Sequence, residues 1–210
     1  MTQNRSSAVM QQRSEPPDAL DDFPTPPWAT RALCEWLMEN GADNMLAREP
    51  AANRGHMVRV LEEYFCHVEA ADIFDYGVGY PQADYLFGPL PPVTGWTITN
   101  PPFRLAEQFI ERALDTSEDG VAMIVRAAFL EGVGRHDRLF SRSPPTGILQ
   151  FTERVVMHKG KLSEKGSTAT AYCWLVWLVE PTPGAAPRFH WIPPCRRRLE
   201  RPGDYDEVIT

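Results

Sequence analysis

Residues 96–103 have the sequence Trp-Thr-Ile-Thr-Asn-Pro-Pro-Phe, in which a strand-like run leads straight into a stiff turn. β-Branched and aromatic residues dominate the run up to Thr99, which favours a strand. Pro101 and Pro102 then fix φ and remove two backbone donors, so the strand is expected to end here. In open α/β sheets ligands bind beyond the carboxyl ends of the strands, and Asn100 is predicted to lie at such an end.

Strand-like and helix-like segments alternate on both sides of this stretch. Further strands are predicted as a short run ending at residue 49, and at residues 67–73, 83–87, 121–125, 148–156 and 169–179. Helices are predicted at residues 25–41, with Thr25 as the N-cap and two prolines in the first turn, and at residues 57–65 and 105–114. Such alternation implies parallel crossovers, so we predict an α/β fold with a mainly parallel, doubly wound sheet and an antiparallel C-terminal strand.

Length and composition favour one domain with irregular ends. The chain has 210 residues, 43% of them hydrophobic, which is enough to bury a single core. Residues 1–20 lack a hydrophobic period and are predicted to form a disordered arm, while residues 181–210 are predicted to form a Pro-rich tail. The globular domain is therefore predicted over residues 21–180.

The apolar runs and the N-terminal residues argue against a membrane-bound or secreted protein. The longest apolar run, at residues 171–179, has nine residues, whereas a membrane-spanning helix needs about 20. The N-terminal residues contain no apolar segment of signal-peptide length. We therefore expect a cytoplasmic protein with no membrane partner.

Net charge and residue spacing restrict the partners and cofactors. A net charge of −7 argues against a protein whose whole surface grips nucleic acid. Lys and Arg nevertheless concentrate between Arg126 and Lys165, which leaves room for a local basic face. The four cysteines form no CxxC pair and the five histidines show no metal-ligand spacing, so we expect reduced thiols and no metal.

The turn at residues 100–103 is the first candidate site. The stiff prolines would hold the Asn100 amide and the Pro101 carbonyl as two acceptors beside the Phe103 ring. Two fixed acceptors next to an aromatic face suit a planar amine. The alternative is purely structural, because Asn-Pro-Pro can also just end a strand and start a helix.

Two further candidate sites follow neighbouring strands. Residues 49–55, Glu-Pro-Ala-Ala-Asn-Arg-Gly, join a strand to a helix, where a ligand can approach the helix N-terminus. Asn53 stands where Gly is the easy choice, and Asn tolerates positive φ. Asp72 and Asp84 follow the next two strands, where carboxylates can accept from ribose hydroxyls and from an exocyclic amine, and Asp75 competes with Asp72. Each is also a common turn or capping residue.

Taken in order, these motifs resemble the class I S-adenosylmethionine-dependent DNA N(6)-adenine methyltransferases, especially the short bacteriophage and prophage members. The matching parts are residues 23–28, 49–55, 71–73, 83–86 and 99–103, within a resemblance over residues 22–180. The resemblance implies a Rossmann-like class I methyltransferase fold, S-adenosylmethionine as the cofactor and DNA as the substrate.

The resemblance also implies a role for each matched position. Among the cofactor-binding residues, Phe23 and Thr25 would close over the cofactor. Asp72 would lie at the ribose, and Ile73 and Asp84 would lie at the adenine ring. The amino-acid part would be surrounded by Glu49, Pro50, Ala51, Asn53 and Gly55. The catalytic residues would be Asn100, Pro101, Pro102 and Phe103. Asn100 and the Pro101 carbonyl would accept both amine hydrogens while Phe103 stacks on a flipped base.

Other acceptors and another class of function stay open at this point. The same chemistry could act on an RNA adenine, a cytosine amine or a protein glutamine. A chain without turnover could instead act as a cofactor-dependent nucleic-acid-binding module. The chain has no room for a separate target-recognition domain, so DNA contacts are expected from residues 135–142 and 158–170, or from a partner.

Overall fold

The computed structural model describes residues 21–179 and 186–206. The arm predicted over residues 1–20 and the last residues of the predicted tail, 207–210, lie outside the described residues. All the residues that the sequence assigns to a site lie within them.

A seven-stranded sheet runs through the described part of the chain. Its strands are β1 (Leu46–Glu49), β2 (His67–Ala70), β3 (Thr94–Thr99), β4 (Ser117–Arg126), β5 (Gly147–Phe151), β6 (Tyr172–Leu178) and β7 (Arg188–Ile192). The strands lie in the order β2-β1-β3-β4-β6-β5-β7. β6 is antiparallel to both of its neighbours, and every other pair is parallel. This arrangement confirms the predicted fold, a mainly parallel sheet with an antiparallel strand near the C-terminus.

Helices cover both faces of the sheet. They are α1 (Pro27–Glu39), α2 (His56–Leu61), α3 (Ala106–Asp115), α4 (Val133–Arg135) and α5 (Arg196–Leu199). Alternate residues of β4 face two separate cores: Ala122 and Ile124 pack with α1 and α2, whereas Val121, Met123 and Val125 pack with α3. Strands β1 to β4 therefore end on one edge of a doubly wound sheet. None of the helices in the described ranges is long and apolar enough to cross a membrane.

The helix α1 is attached to the rest of the fold by buried polar contacts. The Trp174 indole N–H donates to the Ala29 carbonyl at 3.0 Å. The Arg31 guanidinium, only 3% exposed, donates to the Leu199 carbonyl and to the Asp204 carboxylate at 2.7–2.8 Å. These contacts fix the C-terminal residues against α1.

The N-cap residue of α1 differs from the predicted one. The helix begins at Pro27 with Pro26 as its N-cap, and no side chain caps it. Thr25, the predicted cap, instead accepts a hydrogen bond from the Asn100 amide through its hydroxyl. The hydroxyl is therefore used at the candidate site and not at the helix end.

Several predicted elements are shorter than expected, among them the strands predicted at residues 67–73 and 148–156, and one element is absent. The helix predicted at residues 57–65 ends at Leu61, and the N–H groups of Glu63 and Tyr64 bond three residues back in tight turns. The strand predicted at residues 83–87 is a turn, because the Asp84 carboxylate accepts from the N–H groups of two following residues. An Asp that bonds its own backbone in this way competes with strand pairing.

The C-terminal residues add to the sheet beyond the predicted domain end. Residues 188–192 of the segment predicted as a tail form β7, which pairs in parallel with β5. Residues 196–199 form α5. Arg188, Phe189 and Trp191 on β7 remain exposed, which explains why the segment shows no strong hydrophobic period in the sequence.

Candidate functional site

Three loops meet at the carboxyl edge of the sheet, after β1, β2 and β3. Together with the segment before α1, which we call the strap (residues 21–25), they enclose a cavity of ≈ 80 Å³. Eight residues predicted from the sequence line it: Phe23, Thr25, Glu49, Ala51, Asn53, Asp72, Ile73 and Asn100. The fold thus brings together the strand-end motifs that lie far apart in the chain.

A carboxyl group lies buried at the floor of this cavity. Glu49, the last residue of β1, is 1% exposed, and its Oε1 accepts from the Ala51 N–H at 2.9 Å. Burial raises the pKa of the Glu49 carboxyl to about 8, and the Asp72 carboxylate adds to the rise. Within the described ranges no lysine, arginine or histidine bonds to it. The cavity therefore offers a carboxyl that lacks a cationic partner.

The loop after β1 takes the left-handed backbone conformation expected from its sequence. Asn53 has φ 51°, and among the described residues it alone combines a side chain with positive φ. Its Nδ2 donates to the Asp22 carboxylate at 2.8 Å, and its Oδ1 accepts from the Arg54 N–H at 2.7 Å. Gly55 has φ 79° and precedes α2, and a Cβ there would lie 2.3 Å from the Tyr80 hydroxyl oxygen. Gly55 supports the loop without lining the cavity.

The acid after β2 joins this loop. The Asp72 carboxylate accepts from the Asn53 N–H at 2.8 Å and from the Phe74 N–H at 2.9 Å. Burial raises the pKa of Asp72. Asp75, its competitor in the sequence, is exposed and accepts from the Gly77 N–H, so Asp72 is the acid of this pair that faces the cavity.

The Asn100 amide is held in one orientation. Its Nδ2 donates to the Phe23 carbonyl at 2.8 Å and to the Thr25 hydroxyl at 3.0 Å. A carbonyl can only accept, so the NH₂ side of the amide has to face the strap and Oδ1 has to face away from it. No hydrogen bond reaches Oδ1 from the described residues. Asn100 therefore presents a fixed acceptor at the cavity.

The other residues of the turn lie next to the cavity without lining it. Pro101 is buried, and Phe103 is half-buried with its ring 5.3 Å from Phe23 and 6.4 Å from Tyr172, measured between centroids. The Phe103 N–H donates to the Asp21 carboxylate at 2.6 Å. Pro102 supplies the carbonyl that accepts from Leu105 N–H at the start of the next helix. The turn is thus tied to the strap at two points.

The structure separates two predicted cofactor-binding residues from the rest. Asp84 and Pro50 line a neighbouring cavity of ≈ 450 Å³, which also contains Arg48 and Tyr85. One Asp84 oxygen is used by the turn at residues 84–87. Asp84 and Asp72 therefore face different cavities.

Several residues at the site were not predicted from the sequence. The strap acids are two of them: Asp21 accepts from the turn, and Asp22 accepts from the loop after β1. His56 and Tyr76 also line the cavity. Burial lowers the pKa of His56 to about 4. The sequence indicates the two acids only through their position, since Asp21 and Asp22 directly precede the matched residues 23–28. Arg126, whose guanidinium lies over the Phe103 ring, directly follows the predicted strand at residues 121–125.

The two segments predicted to contact DNA are placed differently. Arg135 and Arg138 both pair with Glu107, and Arg135 also donates to two backbone carbonyls, so these arginines hold the chain after β4 in place. The segment at 158–170 lies beside the site, because the Gly160 N–H donates to the Asp22 carbonyl at 2.8 Å.

No protein-family model matches the chain, and no curated protein is similar to it in sequence. Solved structures do share its fold. A Listeria monocytogenes protein assigned to the class I S-adenosylmethionine-dependent methyltransferases superposes with a TM-score of 0.60 at 14% identity, over 83% of this chain and 67% of that one. A Pyrococcus horikoshii protein assigned as an RNA methyltransferase gives 0.58 at 18% identity, over 80% and 91%.

A third similar structure is a Vibrio vulnificus protein assigned as a modification subunit of a type I restriction enzyme. Its TM-score is 0.57 at 15% identity, over 81% of this chain and 47% of that one, so this chain spans about half of that subunit. At these identities the likeness shows the fold. The chain has the Rossmann-like class I methyltransferase fold that the sequence predicts.

Proposed function

We propose that this protein transfers a methyl group from S-adenosylmethionine to the exocyclic amine of adenine in DNA. The observation that carries the proposal is the Asn100 amide at the carboxyl end of β3. The strap holds its Nδ2, and its Oδ1 is left as an acceptor at a cavity lined by Glu49 and Asp72.

The turn suits an aromatic amine because of how that amine reacts. The lone pair of an adenine amino group is delocalised into the ring and is a poor nucleophile. Asn100 Oδ1 and the Pro101 carbonyl would accept its two hydrogens and draw the nitrogen towards tetrahedral geometry. An amide also avoids the desolvation that a carboxylate would suffer at this position.

The cavity fits the proposed cofactor through its charges. S-adenosylmethionine would supply the reactive methyl group on a sulfonium. The buried Glu49 carboxyl, which has no cationic partner among the described residues, matches a ligand with a sulfonium and an ammonium group. Asp72 would accept from the ribose hydroxyls, with Ile73 nearer the adenine ring and Ala51, Asn53 and Gly55 shaping the loop around the amino-acid part. Asp84 is left out of this set, because it faces the neighbouring cavity.

The proposed transfer requires little acid–base chemistry from the protein. The amine lone pair would form the new nitrogen–carbon bond as the carbon–sulfur bond broke, and the electron pair of that bond would stay on sulfur. The methylated nitrogen would then be acidic and release its proton to water. The task of the chain would therefore be to orient the amine, through Asn100 and Pro101, and to stabilise charge, through Glu49.

The choice of DNA rests on the ordered motifs and on the aromatic residue of the turn. Phe103 lies directly after the amine-binding residues, where a base flipped from the duplex could stack. The names of two structurally similar proteins, an RNA methyltransferase and a restriction modification subunit, agree with a nucleic-acid amine as the acceptor.

Transfer of labelled methyl to unmethylated DNA of mixed sequence tests the proposal. Wild type, Asn100→Ala and the matched control Asn40→Ala, an exposed amide at the end of α1, are compared. Product nucleosides are identified by chromatography, and cofactor affinity is measured by calorimetry. We expect label in N(6)-methyladenine with wild type and Asn40→Ala, and a loss of at least about 100-fold in Asn100→Ala with cofactor affinity retained.

Each alternative gives its own outcome in the same experiment. Label in RNA adenine, cytosine or a glutamine peptide, but not in DNA adenine, would move the activity to that acceptor. Cofactor binding without label in any of them would identify a binding module instead. Methylated adenine that persists at the wild-type rate in Asn100→Ala would remove Asn100 from the reaction.

A further inference from the structure

Arg126 lies against the aromatic residue of the candidate site. It is the last residue of β4, the strand next to β3, and it is half-buried. The Cζ atom of its guanidinium stands 3.8 Å from the centroid of the Phe103 ring and 5.9 Å from that of Phe23. The guanidinium therefore covers Phe103, the ring proposed to receive the base.

The donors of this guanidinium have no acceptor within the described ranges. Nε is fully buried and makes no hydrogen bond, and no carboxylate of a described residue lies within 4.0 Å. The Asp21 carboxylate, bound to the Phe103 N–H, forms no ion pair with it. Burying an arginine donor without an acceptor is costly, because its hydration is lost and nothing replaces it.

Other arginines that are buried or half-buried among the described residues use at least part of the guanidinium. Arg48, Arg59 and Arg112 each have one buried nitrogen without a partner, as Arg126 does, but each of them donates through another nitrogen. Arg31 donates to two carboxylates and a carbonyl, and Arg135 donates to Glu107 and two carbonyls. Like Arg126, Arg135 stacks on a phenylalanine, with Cζ 4.0 Å from the Phe129 ring. Stacking therefore does not by itself leave the donors of an arginine unused, and Arg126 differs from Arg135 in lacking an acceptor.

We propose that Arg126 binds a backbone phosphate of the target nucleotide. This inference rests on the proposed function. A planar guanidinium with several donors matches the oxygens of a phosphate better than any other side chain. Consider a nucleotide whose amine reaches Asn100 and whose base lies along Phe103. Its phosphate is one sugar away from the base, and Arg126, which contacts the same Phe103 ring, would lie close to that phosphate. Arg126 is thus a positioning residue that acts on the substrate backbone.

The charge on the neighbouring segment agrees with a phosphate on this side of the molecule. Lys161 and Lys165 are exposed in the segment after Met157, and Gly160 of that segment is bonded to the strap. Met157 Sδ itself lies 3.8 Å from the Asn100 amide nitrogen. Positive charge therefore lies beside the site although the whole chain carries −7.

The dependence of DNA binding on salt tests this proposal. Wild type, Arg126→Gln, Arg126→Lys and the matched control Arg197→Gln are compared, because Arg197 is exposed on α5, remote in sequence from the site, and loses the same charge. Dissociation constants for a fluorescent mixed-sequence duplex and methylation rates are measured from low to moderate salt. Cofactor affinity and thermal unfolding show whether each variant is folded.

We expect Arg126→Gln to lower the slope of log Kd against log salt by about 0.9, the value for one phosphate contact in duplex DNA. Its affinity for DNA should fall about 10-fold or more at low salt, with cofactor affinity unchanged. Arg126→Lys should restore the slope, since a lysine also binds phosphate. Arg197→Gln should leave the slope within error of wild type.

The failures of the two proposals are distinguishable. If wild type methylates DNA and Arg126→Gln keeps the wild-type slope, Arg126 binds no phosphate and only this inference fails. An equal loss of slope in Arg197→Gln would also overturn it, because the effect would then follow net charge alone. If wild type neither binds nor methylates DNA, the proposed function fails and the inference fails with it.

Discussion

Replacing Glu49 with Gln tests whether the buried carboxyl is the counter-ion of a cationic cofactor. Burial raises the pKa of Glu49 to about 8, and none of its interactions is with a cation of the described chain. The free protein therefore carries the neutral acid below about pH 8, whereas a bound sulfonium and ammonium favour the carboxylate. Binding of the cofactor in this range then requires the loss of one proton.

The size of the effect follows from the ionised fraction of Glu49. With a pKa of about 8, about half of these carboxyls are ionised at pH 8 and about 1% at pH 6. We therefore expect the affinity for S-adenosylmethionine to fall about 50-fold between pH 8 and pH 6. Glu49→Gln has no proton to lose, so its affinity should be flat over this range and should lie below that of wild type at pH 8.

The same carboxyl gives a stability profile that serves as an internal check. Folding raises the pKa of Glu49 from 4.5 to about 8, so the folded state binds the proton more tightly than the unfolded chain. The contribution to stability is therefore complete below about pH 4.5 and is lost as pH rises through about 8. In Glu49→Gln this loss should be absent, as measured by urea unfolding at several pH values.

Isothermal titration calorimetry in two buffers of different ionisation enthalpy measures both the affinity and the protons released. Wild type should release close to one proton per cofactor between pH 6 and pH 7, and Glu49→Gln none. Glu39→Gln, an exposed glutamate at the end of α1, controls for the change in net charge. A flat affinity profile in wild type, or an equal slope in Glu49→Gln, would refute the counter-ion role.

Two further predictions concern the scaffold that positions the site. Arg31→Met removes the partner of the buried Asp204 carboxylate and should lower the free energy of unfolding, measured by urea titration, by about 3–5 kcal/mol. Arg138→Met is the control, because the Arg138 side chain that pairs with Glu107 is largely exposed, and it should cost under about 1 kcal/mol. Gly55→Ala and Gly160→Ala both place a side chain at φ near 75–79°, which costs about 1–2 kcal/mol. Only at Gly55 does the new Cβ meet Tyr80, so Gly55→Ala should lower the melting temperature more than Gly160→Ala does. When both glycine variants also carry Tyr80→Ala, the difference between them should disappear. Equal losses in the two glycine variants would contradict the contact.

The central strands could be predicted from the sequence because their burial is nearly complete. In β3 and in residues 120–125 of β4 every residue is buried, and runs of β-branched, aromatic and apolar residues without polar alternation are typical of strands covered on both faces. β7 could not be predicted in the same way. Three of its five residues are exposed, and it is a strand because β5 offers it a free edge, which the local sequence does not reveal.

The residues of the candidate site also differ in whether the local sequence predicts them. Glu49, Asp72 and Asn100 follow strands directly, so strand prediction alone brings them to one edge of the sheet. The prediction for Asp84 depends on a strand at residues 83–87, but the turn that its own carboxylate forms replaces that strand and leaves Asp84 in the neighbouring cavity. The acids of the strap and Arg126 act through tertiary contacts with residues far away in sequence, for which a single sequence carries no signal.

The strap links the proposed cofactor cavity to the amine-binding turn. The cavity of ≈ 80 Å³ is smaller than the roughly 300 Å³ at which small-molecule sites begin, so we expect the strap to move when a ligand of the proposed size binds. The strap also holds the Asn100 amide, through the Phe23 carbonyl and the Thr25 hydroxyl. Such a movement would release the amide, and the acceptor would regain its fixed orientation only when the strap closed again. We therefore expect cofactor binding and amine positioning to be coupled through the same two hydrogen bonds.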